Sequence, residues 1–250
     1  MKTLKKVHTG IFRDGGAGTF SKRRFRDRRK KLMAKEGQLI AVTGVPYGPG
    51  GKTTWSYAHS PTYQEPAMMH LTGINQNNVI LLLDPNSKVS DEILFVDSKD
   101  RVMEFWEGVR FGVGDEQSLK EVRSVTGIQD VRDIREFKDA LKERFKKQKK
   151  KKLGTFWLEG VQRGKAVSIK TDHNFDFKQK LEGWLRSWKA PKGALKNIMK
   201  NHFELRMPLD KYDIANARKA QDITNGGYKA MLKKFRTFKN ECQVQGYLEG

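Results

Sequence analysis

Apolar and polar positions follow two regimes along the chain. In three places the apolar residues form compact runs bounded by turn formers: GQLIAVTG at 37–44, NVILLLD at 78–84 and EILFVDS at 92–98. The first is a strand candidate, and the second and third, compact runs bounded by turn residues, predict interior strands. Asp84-Pro85-Asn86 punctuates the short gap between the second and third runs, which makes those two antiparallel neighbours. Elsewhere the apolar residues recur every three or four positions. Ile134, Phe137, Leu141 and Phe145 predict a helix over 133–147 with lysines on its far side, and Phe177, Leu181, Trp184, Leu185 and Trp188 predict another over 176–189. Further helices are predicted at three places. One is 20–35, with Ser21 as N-cap and Phe25, Leu32 and Met33 inward. The others are 99–107, with Val102, Phe105 and Trp106 on one side, and 209–235, where Asp210 and Asp213 have capping-box spacing. TFWLEG (155–160) and KAVSIK (165–170) read as strands. The Gly-, Pro-, Ser- and Thr-rich stretch 45–66 reads as loop, and Gly226-Gly227 with the polar tail from Lys239 suggests a helical hairpin. Strands and helices alternate, so the expected class is α/β: a mixed sheet of about five or six strands flanked by helices, followed by a helical segment.

Composition adds mass and charge to this pattern. The 250 residues are 37% hydrophobic, with 14 Phe, 5 Trp and 6 Tyr, which is enough apolar material for a core. The formal net charge is +21, a balance that points to anionic partners such as nucleic acid and bears on fold very little. A single cysteine, Cys242, excludes a disulfide framework and a Cys-rich zinc site. The N-terminus MKTLKKVHTG has no apolar signal-peptide core, and the longest apolar run, 79–83, is too short to cross a bilayer; with the low cysteine usage, a cytoplasmic location and no membrane contact are expected.

Candidate chemistry is sparse. Gly51-Lys52-Thr53 fits the second half of a phosphate-binding P-loop, but the first glycine of that motif falls on Pro46, and Trp55, Tyr57 and Pro61 make a poor helix start. Asp172, His173 and Asp176 crowd three potential metal ligands into five residues, a spacing better suited to a helix-capping turn. His59 and His70 stand isolated, and no G-x-S-x-G nucleophile turn is present. The basic runs at 22–31 and 142–152 could grip phosphates, yet both lie opposite apolar stripes, as ordinary solvated faces do, and no aromatic-basic RNA motif accompanies them.

A more specific signal is an ordered set of motifs. Residues 64–114 contain Leu71-Thr72-Gly73, then a strand pair ending Leu94-Phe95-Val96, then Trp106, Gly108, Arg110 and Gly112 in the pattern Trp-x-Gly-x-Arg-x-Gly. A basic helix at 20–32 and a strand with a Gly-rich loop at 37–54 come before them. The segment 204–232, opening Glu204-Leu205-Arg206, comes after. This order resembles the N-terminal domain of aminopeptidase P, the Xaa-Pro aminopeptidase, a relative of creatinase and prolidase. The resemblance departs at Thr62-Tyr63-Gln64-Glu65-Pro66 and Met68-Met69-His70, where the family often carries an Arg and an aromatic pair.

The resemblance implies a basic arm over 1–19, a creatinase-like N-terminal domain over 20–203, and over 204–250 a linker with the first helix of a catalytic "pita-bread" domain. The family's chemistry uses two divalent metals, commonly manganese, held by two Asp, one His and two Glu in that catalytic domain. No residue here matches a ligand position, so no catalytic or metal-binding residue is assigned and the chain alone is expected to be inactive. Leu71, Thr72, Gly73, Trp106, Gly108, Arg110 and Gly112 are expected to be structural. A peptide substrate is implied only together with the catalytic domain, and a homo-oligomer is implied by the family. Nucleic acid is the alternative partner, which the charge raises and the motif set does not favour.

Overall fold

A computed structural model describes residues 22–46, 64–107, 110–162, 165–168 and 173–249. The three apolar runs form β1 (Leu39–Thr43), β2 (Ile80–Leu83) and β3 (Glu92–Val96). With β4 (Asp130–Asp133), β5 (Leu153–Thr155) and β8 (Leu195–Asn197) they make a six-stranded sheet in the order β4-β3-β2-β1-β5-β8. β2 is antiparallel to both its neighbours, and every other pairing is parallel. β6 (Glu159–Gln162) and β7 (Lys165–Ser168) form a separate antiparallel pair.

The central strands are apolar throughout because both faces of the sheet are covered, and their side chains alternate strictly between two cores. Ile40 and Val42, Leu81 and Leu83, and Leu94 and Val96 enter one core. There they meet Leu32 and Met33 of α1 (Lys22–Glu36), Met68 and Leu71 of α2 (Pro66–Thr72) and Val122 of α4 (Glu116–Thr126). Leu39, Ala41, Leu82, Ile93 and Phe95 enter the other. They meet Phe137, Leu141 and Phe145 of α5 (Phe137–Lys147), and Phe177, Leu181 and Leu185 of α6 (His173–Ser187). α3 (Arg101–Glu107) and α7 (Met199–Arg206) complete the unit that runs to Met207. The second unit, Pro208–Gly250, holds α8 (Lys211–Lys234) and α9 (Glu241–Glu249), joined by a 3-10 turn at Phe235–Thr237.

Several expectations are corrected. Of the loop expected over 45–66, residues 47–63 lie outside the described residues, and its last residue, Pro66, instead starts α2 in the first helical turn, where its missing N–H costs nothing. Val102 and Phe105 of α3 are exposed, at 70% and 80%, instead of forming an inward face. The strand expected over 155–160 divides into β5 and β6, and the expected 176–189 helix begins earlier, at His173. Glu204-Leu205-Arg206, which opens the segment of resemblance over 204–232, closes a helix, α7. Gly226-Gly227 lies inside the unbroken α8, so the turn toward α9 falls nearer Phe235. The capping box is as expected: Asp210 accepts from Tyr212 N and Asp213 N, each at 2.9 Å, and Asp213 accepts from Asp210 N at 3.3 Å. The basic arm over 1–19 and Ser21 lie outside the described residues.

Candidate functional site

Five of the six strands point the same way, so their carboxyl ends gather at one edge of the sheet, where open α/β folds place their clefts. Polar side chains concentrate there. Gln64 accepts from Val45 N at 2.9 Å and donates to Gln76 O at 2.6 Å, fixing the chain where it leaves β1 and returns to α2. Glu65 caps α2, accepting weakly from Ala67 N at 3.5 Å. Its Oε2 also takes Asn174 Nδ2 and lies beside His173 Nε2, both at 3.1 Å, which ties the start of α2 to the start of α6. Burial alone would raise the Glu65 pKa, but hydrogen bonds from His173 and Asn174 outweigh it and hold the carboxyl below its usual range.

His70, on α2, meets His202, on α7, with His70 Nδ1 and His202 Nε2 3.2 Å apart. One ring must donate and the other accept, so at least one is neutral, and lowered pKa values keep both neutral near pH 7. Burial is the main cause, with Arg28, Arg206 and Arg24 adding repulsion. His70 falls to about 3, and His202 falls to about 4 through burial and Arg206 against a small opposing pull from Glu65. His202 packs edgewise on His70 and against Phe156, which immediately follows β5. Two neutral imidazoles held this way make a seam between helices.

The Leu71-Thr72-Gly73 motif ends α2. Thr72 Oγ1 donates to Met68 O at 2.7 Å and accepts from Ile74 N at 3.1 Å, while Gly73 takes a left-handed φ of 74°. A Cβ at Gly73 would sit 2.4 Å from the Phe25 ring, so glycine is required twice over. The same stop recurs at the end of α4. Thr126 Oγ1 donates to Val122 O at 2.8 Å and accepts from Ile128 N at 3.0 Å, with Gly127 at φ 75°. Between the two stops lies Arg29, fully buried, which donates to Leu71 O at 2.8 Å, to Thr126 O at 3.0 Å and to Glu92 Oε2 at 2.8 Å. One guanidinium thereby joins α1, two helix ends and β3.

The second motif is also a clamp. Gly108 and the Trp106 side chain lie outside the described residues. Arg110 donates its backbone N–H to Glu104 Oε1 at 2.8 Å, and its carbonyl accepts from Lys99 Nζ at 2.6 Å. Phe111 exchanges two hydrogen bonds with the Gln76 amide, at 2.7 and 2.9 Å. Gly112 donates to Ser118 Oγ at 2.9 Å and passes so close to Lys99 that a Cβ would meet its backbone N at 2.7 Å. Both motifs therefore fasten connections, and none of their described side chains converges on a reacting centre.

The remaining candidates separate. Asp176 is exposed in the first turn of α6, His173 serves Glu65, and Cys242 is exposed on α9. Gly51-Lys52-Thr53, His59 and Asp172 lie outside the described residues. Among the described residues no three His, Cys, Asp or Glu side chains group closely enough to hold a metal, so the donor set for a two-metal centre is not found among them. No described helix is long and apolar enough to cross a membrane. Glu65, His202 and the Arg29–Glu92 pair escape sequence reasoning because their partners lie many residues away and no local spacing links them.

Residues 25–153 match the profile of the family described as aminopeptidase P, N-terminal domain. No curated protein matches the sequence. Among solved structures, the chain is similar to Pseudomonas aeruginosa aminopeptidase PepP, with a TM-score of 0.68 at 16% identity over 91% of this chain and 48% of that one. It is also similar to a Bacillus anthracis protein described as an aminopeptidase P, with a TM-score of 0.67 at 20% identity over 92% and 50%. A third likeness is to zinc-substituted E. coli aminopeptidase P in complex with product, with a TM-score of 0.66 at 18% identity over 91% and 48%. The chain thus spans about half the length of the structures it matches.

Proposed function

The chain belongs to the aminopeptidase P N-terminal domain family, and from that premise we propose that it serves as the non-catalytic domain of a metal-dependent Xaa-Pro aminopeptidase. In this reading it walls one side of the substrate cleft and contributes to oligomer contacts, while a catalytic domain carries two divalent metals, manganese by preference. The observation that carries the reading is the coverage: a likeness over 91% of this chain takes up only 48% of the Pseudomonas enzyme. Two features support it. The polar carboxyl edge around Glu65, His173 and Asn174 is the part of such a sheet that ordinarily borders a cleft. In the second unit, Tyr228, Leu232 and Phe235 are all more than half exposed, toward the end of one helix and at the turn after it, apolar residues of the kind that a further domain covers.

No step of peptide hydrolysis is assigned to the described residues, among which no three His, Cys, Asp or Glu side chains group closely enough to hold a metal. The test is hydrolysis of an Xaa-Pro peptide by the purified chain with added Mn²⁺: no release of the N-terminal residue is expected. Sedimentation of the same sample addresses assembly, where a homo-oligomer is expected and a strict monomer at all concentrations would remove the oligomer role.

A further inference from the structure

α5 and α6 pack together over one face of the sheet, and the two segments that contain them hold a disproportionate part of the charge. Residues 137–152 carry nine Lys and Arg against two Asp and Glu, and 173–197 carry six against two; together they hold +11 of the chain's +21. Some of these cations have structural partners. Arg144 binds Asp84 Oδ2 at 3.2 Å and Ser90 O at 2.7 Å, Lys147 pairs with Glu143 at 2.6 Å, and Lys178 pairs with Glu182 at 3.1 Å. Lys151 turns back with a positive φ of 46° to donate to Phe145 O at 3.2 Å and to Lys146 O, closing the end of α5.

Among the described residues no ion pair engages Lys142, Lys146, Lys149, Lys150, Lys189 or Lys192. An ordinary solvated helix face mixes both signs, because a single-sign field repels itself and destabilises the compact state. Two tryptophans lie beside these lysines: Lys142 and Lys146 continue the i, i+4 ridge of α5 that begins at Lys138, and Lys189 directly follows Trp188. Trp184 and Trp188, both partly exposed, stack with centroids 6.4 Å apart and an interplanar angle of 23°, seated on Phe137 and Phe145. Lys138 Nζ lies 5.7 Å above the Trp184 ring. Lysines around a rigid, partly open aromatic pair are the two ingredients of a single-stranded nucleic-acid surface. The cations track phosphates and the rings offer π-faces that only unpaired bases can reach.

We propose that the α5–α6 face, centred on Trp184 and Trp188 and flanked by Lys142, Lys146, Lys149 and Lys150, binds single-stranded nucleic acid. The test uses the full 250-residue chain and a fluorescein-labelled oligouridylate over a salt series. Binding that weakens linearly on a log–log salt plot is expected. The K146E/K149E/K150E variant changes only exposed side chains with no ion partner among the described residues. It should bind at least about ten-fold more weakly, with a salt slope reduced by about 2, three lost contacts at about 0.7 each. R218E/K229E/K233E alters three exposed cations of α8 by the same net charge and should shift affinity less than about two-fold. Tryptophan quenching on binding should vanish in W184F/W188F while Trp55, Trp106 and Trp157 remain. Both triple variants are to be checked for wild-type circular dichroism and unfolding midpoint. Four results would overturn the proposal: no binding, equal weakening by the two triples, duplex bound as tightly as single strand, or binding to phosphatidylserine vesicles in place of the oligonucleotide.

Discussion

Gly73 and Gly127 stand at equivalent stops with almost the same φ, 74° and 75°, but in different surroundings. A side chain at Gly127 would make ordinary contact with Lys22 at 3.4 Å, whereas at Gly73 it would strike the Phe25 ring at 2.4 Å. Gly127→Ala is therefore expected to cost only the left-handed backbone penalty of about 1–2 kcal/mol. Gly73→Ala should cost that and a further 1–3 kcal/mol or so from overpacking. Urea unfolding of the two variants measures the difference, and equal costs would refute the role given to Phe25. Arg29 makes a sharper case. Arg29→Met strands the buried Glu92 carboxylate and should destabilise by about 3–5 kcal/mol, while Arg29→Met/Glu92→Leu should recover a large part of it. The Leu-Thr-Gly sequence identified this corner in advance, but Arg29 looked like one more charge on a basic helix. Its burial is set by two helix ends 42 and 97 residues away.

Elements with strong periodicity were legible and those without it were not. α5, α6 and α8 follow their 3.6-residue patterns, and β1, β2 and β3 their apolar runs. β4 reads Asp-Val-Arg-Asp and was missed because it is an edge strand whose outward residues pair with each other, Arg132 forking onto Asp130 at 2.7 and 2.8 Å. β8 is a three-residue strand at the opposite edge. α4 was missed because two of its buried positions are Ser118 and Thr126, polar residues whose hydroxyls are hydrogen-bonded inside the fold. The histidine seam joining α2 to α7 has a consequence at this scale. His70 and His202 titrate below their unfolded value, so the unfolded chain binds more protons between pH 6.5 and about 3. Stability is fully present above pH 6.5 and should fall with acidity by up to about 1.4 kcal/mol per pH unit for each histidine. Glu65, also depressed, acts in the same sense at lower pH. His70→Gln/His202→Gln should flatten the profile, measured by urea midpoints across that range; an unchanged slope would mean the pair does not carry it.

For the whole molecule, the ordered motifs carried more functional information than any single residue. Among the described residues of these motifs, Gly112 passes close against Lys99 and Gly73 close against Phe25, so both positions leave no room for a side chain. The net charge of +21 is not explained by the family, and residues 137–152 and 173–197 carry +11 of it. The most direct measurement is aminopeptidase activity of the purified chain on an Xaa-Pro peptide, with Mn²⁺ and then Zn²⁺ added and E. coli aminopeptidase P as the positive control. The expected result is no metal-dependent release of the N-terminal residue from the chain alone. Turnover that rises with added metal and disappears with a chelator would contradict a purely non-catalytic role.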